Sequence, residues 1–339
     1  MKTIAVIYCP SGLKEILLKG SLHRFIPARL RKLFLERMLP YWHYIIFSEM
    51  NCDVYEIQFP TVAEALSLAD HDKVLKWCEQ IDLLLQELKV DRVLLDDVLN
   101  ESEVITGYFN SKEAFKIFNG DKLFILYIEE IFKTICKLLK VSITHLRVGL
   151  IVDGINAGII SIITRLSEGI RFLSILSLEH SNLSKMVENI YQDTGLVVRL
   201  SSTNTDLLKE CNVIINFSKD SKFVNSCRIP DNSVIINYGC EVLKKNFSGI
   251  IINDLNMHNN KTSIKCHPWS KRLSFCEAIL GLKGEDTDDS FDLDRLQSNY
   301  INELKGLGYR IAGFIGRNGN INMSEFDIIA KEYRRKNII

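Results

Sequence analysis

The sequence predicts an α/β protein of two domains, the second built on a doubly wound parallel sheet. Three observations carry that expectation. An apolar run at 148–152 enters a turn holding Gly154 and Gly158, passes into a helical stretch at 159–167, and is followed by a second apolar run at 171–178 closed by Glu179. Further apolar runs at 196–200, 213–217, 233–238 and 249–253 alternate with helical or polar stretches. The first half repeats the alternation, with runs at 3–9, 44–47, 53–59 and 91–95.

Composition limits the alternatives. A chain of 339 residues can bury two substantial cores, and 47% apolar with 25% charged residues is ordinary for a soluble globular protein. Formal net charge is zero, which argues against a nucleic-acid or membrane-surface partner. The nine cysteines form no C-x-x-C pair and several sit in apolar runs, so they read as reduced thiols with neither a disulfide framework nor a zinc site. The apolar run at 3–9 is too short for a secretory signal, and no 18-residue apolar stretch occurs. A cytoplasmic protein without a membrane span is the expectation.

Taken in order, 3–9 is a buried strand closed by Pro10-Ser-Gly12. Residues 21–38 have a helical apolar pattern, which Pro27 should break. Arg24, Arg29, Arg31, Lys32 and Arg37 make this stretch basic: a solvated face, or a docking patch for a phosphate or an acidic carrier. Strands at 44–47 and 53–59, helices at 62–68 and 74–88, and a strand at 91–95 follow. Asp96 and Asp97 stand at that strand's end, where open α/β sheets place ligands or where a helix is capped. One long helix at 122–139 should cross into the second domain.

There, 182–191 is helical, 196–200 a strand, 207–210 a short helix, and 213–217, 233–238 and 249–253 are strands. Residues 257–262 read as a loop, 273–282 and 293–307 as helices, with 325–335 the tail. The expected division is 1–143 as an N-terminal α/β domain, 144–260 as the dinucleotide-binding domain, and 261–339 as a C-terminal helical segment packing back on the interdomain cleft.

The 148–179 unit has the plan of a dinucleotide-binding βαβ motif. Glycines let the backbone approach a pyrophosphate, the helix N-terminus offers N–H groups, and the terminal acid accepts hydrogen bonds from a ribose. Glu179 lies 25 residues after Gly154, against roughly 20 in the motif. Counted from Gly154, however, the second glycine position is Asn156 and the third is Ile159, and Asp153 adds negative charge beside the turn. The expected cofactor shell is Gly154, Asn156, Gly158, Glu179, Phe217, Ser218 and Gly239. Glu179 would repel a 2′-phosphate, so NAD is expected ahead of NADP.

Residues 145–310 resemble the reductase domains of shikimate dehydrogenases, glutamyl-tRNA reductases and long-chain acyl-carrier-protein reductases. The likeness rests on 148–179, on Asp206-Leu-Leu-Lys-Glu-Cys-Asn-Val-Ile-Ile-Asn-Phe-Ser218 with Ser233-Val-Ile-Ile-Asn-Tyr-Gly239, and on Ser274-Phe-Cys-Glu-Ala-Ile-Leu-Gly-Leu282 with Gly308-Tyr309. It implies a Rossmann-like fold, a nicotinamide cofactor and a carbonyl or acyl substrate. The chain departs from the family in lacking an Asn-Val-Thr-x-Pro-x-Lys stretch and in carrying Asn237 where relatives have Asp.

An acyl reductase needs a nucleophile beside the hydride donor. Cys240, after the strand at 233–238, is the positional candidate, with Asp97 facing it across the cleft. Cys240 also reads as an ordinary loop cysteine, and a metal site is not expected from Cys266-His267 and His258. The leading expectation is an NAD(P)-dependent oxidoreductase of a small or acyl substrate. The alternative is a degenerate Rossmann protein that senses a ligand or serves assembly. The basic and acidic runs suit surface polarity or subunit contacts, as in a homodimer.

Overall fold

The structure, a computed structural model, describes residues 2–11, 41–47, 52–154, 157–167, 169–178, 183–203, 205–240, 242, 247–260, 268–281, 293–317 and 319–335, with 41–47 described for backbone alone. Two compact units divide the chain: Met1–Gly120 with Lys261–Lys283, and Asp121–Asn260 with Gly284–Ile339.

The first unit holds a five-stranded sheet of β1 (Lys2–Tyr8), β2 (Tyr41–Phe47), β3 (Cys52–Gln58), β4 (Arg92–Leu95) and β5 (Lys116–Ile117), in the order β2-β3-β1-β4-β5. β1, β3, β4 and β5 run parallel, and β2 lies antiparallel on the β3 edge. The centre of β1 is apolar without interruption (Ile4, Ala5, Val6, Ile7) and fully buried, as a strand covered on both faces requires. Its helices are α1 (Ala63–Leu66), α2 (His71–Glu87), α3 (Asp97–Asn100) and α4 (Glu103–Asn110). α2 begins because the Asp70 carboxylate accepts from the Lys73 amide. Its stripe of Val74, Trp77, Cys78, Ile81 and Leu85, at helical spacing, packs with Ile7, Ile57 and Val93 of the sheet and with Ile105 and Phe109 of α4. A later segment, with α5 (Leu273–Leu280), joins this unit: Trp269 Nε1 donates to Glu56, and the Gly120 amide donates to Glu277 Oε2 at 2.6 Å.

The second unit holds six strands: β6 (Arg147–Val152), β7 (Phe172–Ser177), β8 (Val198–Ser201), β9 (Val213–Asn216), β10 (Val234–Asn237) and β11 (Ile250–Ile252), in the order β11-β10-β9-β6-β7-β8. Every pairing is parallel. Counted from β6 as the first, this is the order 3-2-1-4-5-6, so the unit is a Rossmann-like doubly wound sheet. Helices α6 (Ala157–Ser167), α7 (Leu183–Thr194) and α8 (Ser221–Ser226) connect its strands. A Cβ on Gly149 of β6 would come within 2.7 Å of Leu208 Cδ2 and 3.1 Å of Cys211 Sγ, so glycine lets the segment before β9 close over the strand.

Around it stand α9 (Asp121–Leu126), α10 (Ile128–Leu139), α11 (Leu293–Gly306) and α12 (Met323–Arg335). A small antiparallel sheet of β12 (Asp254–Asn259), β13 (Tyr309–Gly316) and β14 (Gly319–Asn320) completes the unit.

Several expectations need revision. The helix expected at 122–139 is two, interrupted at Tyr127, a one-residue break that apolar periodicity does not register. Residues 257–259, read as loop, belong to β12: Leu255 and Met257 are fully buried, and the pairing partner, β13, lies some fifty residues on. The units divide at 120/121 rather than 143/144, because α9 and α10 go with the second sheet. The segment expected as one C-terminal block is shared, 261–283 with the first unit and 284–339 with the second. Among the described residues no helix is long and apolar enough to cross a membrane. None of the eight described cysteines is in a disulfide.

Candidate functional site

The chain reverses its direction across the sheet between β6 and β9, and a doubly wound fold places its ligand crevice outside the carboxyl ends of those strands. β6 delivers Asp153 and Gly154 there; β9 delivers Phe217 and Ser218. The Asp153 carboxylate spans the gap. Its Oδ1 accepts from Ser218 Oγ, and its Oδ2 accepts from the Lys219 amide at 2.7 Å. Its charge is thus committed to the β9 loop. Ser218 Oγ in turn accepts from the Asp220 amide at 3.1 Å, and Asp220 caps α8 through the Lys222 and Phe223 amides.

Three asparagines at successive strand ends form an amide ladder along the same edge. Asn216 Nδ2 donates to Asn237 Oδ1 at 2.8 Å, and Asn237 Nδ2 donates to Asn253 Oδ1 at 3.1 Å. Asn216 also accepts from the Ser218 amide and donates to the Cys240 carbonyl, so its buried side chain fixes both loops. Sequence reasoning passed over this ladder, although a signal was present: Val-Ile-Ile-Asn occurs at 213–216 and again at 234–237, and Ile-Ile-Asn at 251–253.

Gly239 is sterically required. A Cβ there would fall 2.0 Å from the Ser218 carbonyl oxygen, which already accepts from the Cys240 amide at 2.8 Å. Tyr238 stacks on Phe217 with ring centroids 4.8 Å apart and planes 9° apart, and meets Phe124 at 4.3 Å. Its hydroxyl donates to the Phe124 carbonyl, and burial pushes the phenol well above its ordinary range, so Tyr238 holds its proton at neutral pH.

The two residues expected to be catalytic are placed less favourably. Cys240 lies half-buried at the carboxyl edge, but burial raises its thiol; a hydrogen bond from Asn216 works the other way, and the nearby Asp153 charge raises it further. Among the described residues no base stands at hydrogen-bond distance from its sulfur. Asp97 is 73% exposed and pairs with Arg272 Nη2 at 2.8 Å, an ordinary surface ion pair. The acid turned inward at the end of β4 is its neighbour. Asp96 accepts from the Cys9 amide at 2.5 Å and the Leu99 amide at 2.9 Å, capping α3, and burial raises its carboxyl to about 6.

Of the expected cofactor shell, Gly154, Phe217, Ser218 and Gly239 gather at this edge, and Gly158 is the second residue of α6. Asn156 and Glu179 lie outside the described residues, as do the basic stretch at 24–37 and Cys266-His267. The backbone fits a dinucleotide: a parallel sheet of the required order, a glycine after its first strand, and an eleven-residue helix beyond. Charge opposes it through Asp153.

No family model matches this chain, and no curated protein matches it in sequence. Its fold is similar to that of L-tryptophan dehydrogenase from Nostoc punctiforme, at 13% identity over 99% of this chain and 89% of that one, with a TM-score of 0.34. Mycobacterium tuberculosis shikimate dehydrogenase matches at 9% identity over 98% and 100%, TM-score 0.29. A Thermococcus litoralis Δ1-pyrroline-2-carboxylate reductase, in complex with NADH and L-proline, matches at 8% identity and TM-score 0.25 over 34% of this chain, which spans only 38% of that protein. Carbamoyltransferases match comparably, so these likenesses say nothing of activity.

Proposed function

We propose that the second unit binds a nicotinamide dinucleotide across the carboxyl edge of its sheet, and that the protein is an NAD(P)-dependent oxidoreductase acting on a carbonyl or acyl group. The observation that carries this reading is the 3-2-1-4-5-6 parallel order with Gly154 and α6 following the first strand at the switch point. The cofactor supplies the hydride. Gly154 and the first turn of α6 take the pyrophosphate, Glu179 the adenosine ribose, and Gly239 with the Phe217–Tyr238 stack walls the nicotinamide end. Cys240 then lines the site as a protonated thiol. Glu179 favours NAD over NADP.

Calorimetric titration with NAD, NADH, NADP and NADPH tests the proposal. Saturable binding of the NAD pair, abolished by Gly154→Asp, is the expected result; no heat with any of the four at millimolar concentration would remove the cofactor assignment. A second reading, a ligand-sensing or assembly protein without catalysis, draws on one observation: the Asp153 carboxylate stands beside the glycine turn, bonded to Ser218 and the Lys219 amide.

A further inference from the structure

The opposite, amino-terminal edge of the second sheet carries an arrangement that the dinucleotide reading does not use. Three neighbouring strands begin with cations: Arg147 opens β6, Arg171 directly precedes β7, and Arg199 is the second residue of β8. All three line one cavity of about 500 Å³, with Phe172, Val197 and Glu210. A second cavity, of about 650 Å³, adjoins it through Arg147 and Glu210.

Both charge and apolar surface in this groove are left over. Glu210 is the one carboxylate in its wall among the described residues, and it is shared, 2.5 Å from Arg147 Nη1 and 3.6 Å from Arg199 Nη1. These are exposed pairs, weakly held and readily exchanged for a stronger anion. Arg171 has no acid partner among the described residues. Phe172 is 51% exposed at the head of β7, whose remaining residues are buried, and Val197, just before β8, is 66% exposed. The Arg147 guanidinium already lies over the Phe172 ring, 5.5 Å from its centroid. Guanidinium groups bind phosphate bidentately, and an exposed aromatic beside them offers a stacking surface for a flat ring.

We propose that this groove is a second binding site, one for a mononucleotide, with Arg171 and Arg199 on the phosphates and Phe172 with Arg147 on the base. A concavity of this size suits a small ligand, and zero net charge over the whole chain disfavours a polynucleotide. β6, which runs from this groove to the carboxyl edge, is six residues long, so its two ends lie roughly 17 Å apart. The inference goes beyond the proposed function and does not depend on it.

Equilibrium dialysis of the full-length protein against ADP, adenosine and inorganic phosphate tests it. ADP should bind saturably, with adenosine and phosphate each at least tenfold weaker. With the carboxyl-edge crevice blocked by Gly154→Asp, ADP should still bind, and adding Arg171→Ala or Arg199→Ala, both exposed changes, should weaken that remaining binding at least tenfold. The proposal is overturned if ADP does not bind, or if the Arg171→Ala/Arg199→Ala pair leaves binding to Gly154→Asp unchanged. ADP binding lost only in Gly154→Asp would place the nucleotide in the carboxyl-edge crevice. That outcome removes the second site and leaves the dinucleotide reading standing.

Discussion

The Asp153 carboxylate holds the β9 loop through Ser218 and Lys219 and also brings negative charge to the crevice, so two substitutions separate its roles. Asp153→Asn removes the charge while keeping an acceptor, and NAD affinity should rise several-fold. A fall in affinity would mean that the clasp itself is part of the binding geometry. Asp153→Ala removes both, and should cost about 1.5–3 kcal/mol in urea denaturation, the range for hydrogen bonds to a charged group. Gly239→Ala offers no such gradation. With a Cβ 2.0 Å from the Ser218 carbonyl the loops must part, at about 1–3 kcal/mol, measurable in the same way. Asp96 gives a pH dependence. Its folded pKa of about 6 exceeds the ordinary carboxyl value, so the folded state favours the protonated form. The stability it contributes is complete below about pH 3.9 and is lost as pH rises through 6, on the order of 2–3 kcal/mol. Asp96→Asn keeps the cap and should flatten the change in urea midpoint between pH 4 and 7; an unaltered slope would assign it to other groups.

Among elements, α12 is tied to the second sheet at one polar point. Tyr333, buried, brings its hydroxyl to 3.0 Å from the Asn212 carbonyl and 2.9 Å from the Asn232 carbonyl, just before β9 and β10. Tyr333→Phe leaves the Asn212 carbonyl with the Val234 amide alone and takes the hydroxyl from the Asn232 carbonyl, and should cost about 1–3 kcal/mol in chemical denaturation. A loss within error would show that water replaces the hydroxyl. The helical stretches reflect how far local patterning reaches. α2 was legible from its apolar spacing, three residues short at its start, and α7, α11 and α12 fall within a few residues of their expected spans. β12 was not legible, because its polar composition resembles a loop and its buried alternation acquires meaning only against β13.

At the scale of the molecule, each unit is assembled from two separate stretches of chain, with its own sheet and its own core. A ligand that binds only the native second unit stabilises it by mass action. NAD at a hundred times its dissociation constant should therefore contribute about 2.7 kcal/mol to that unit's unfolding. Differential scanning calorimetry should show an upward shift of its transition with NAD and none in Gly154→Asp. The same shift in both proteins would locate the ligand away from the glycine turn.

The sequence by itself determined the α/β class, the strands of the second sheet and the place of the glycine turn. Each depends on apolar runs and turn residues close together in the chain, and a strand buried on both faces must be apolar throughout. Only the tertiary structure decided the rest. Strand order brought β9 beside β6 and so set Asp153 against Ser218, 65 residues apart. It aligned three asparagines into a ladder, and three arginines from separate strand starts along one groove. It also distinguished Asp96 from Asp97, two identical neighbours, by turning one inward and leaving the other in water. Which side chains meet depends on pairings between distant segments, and no local window of residues contains them.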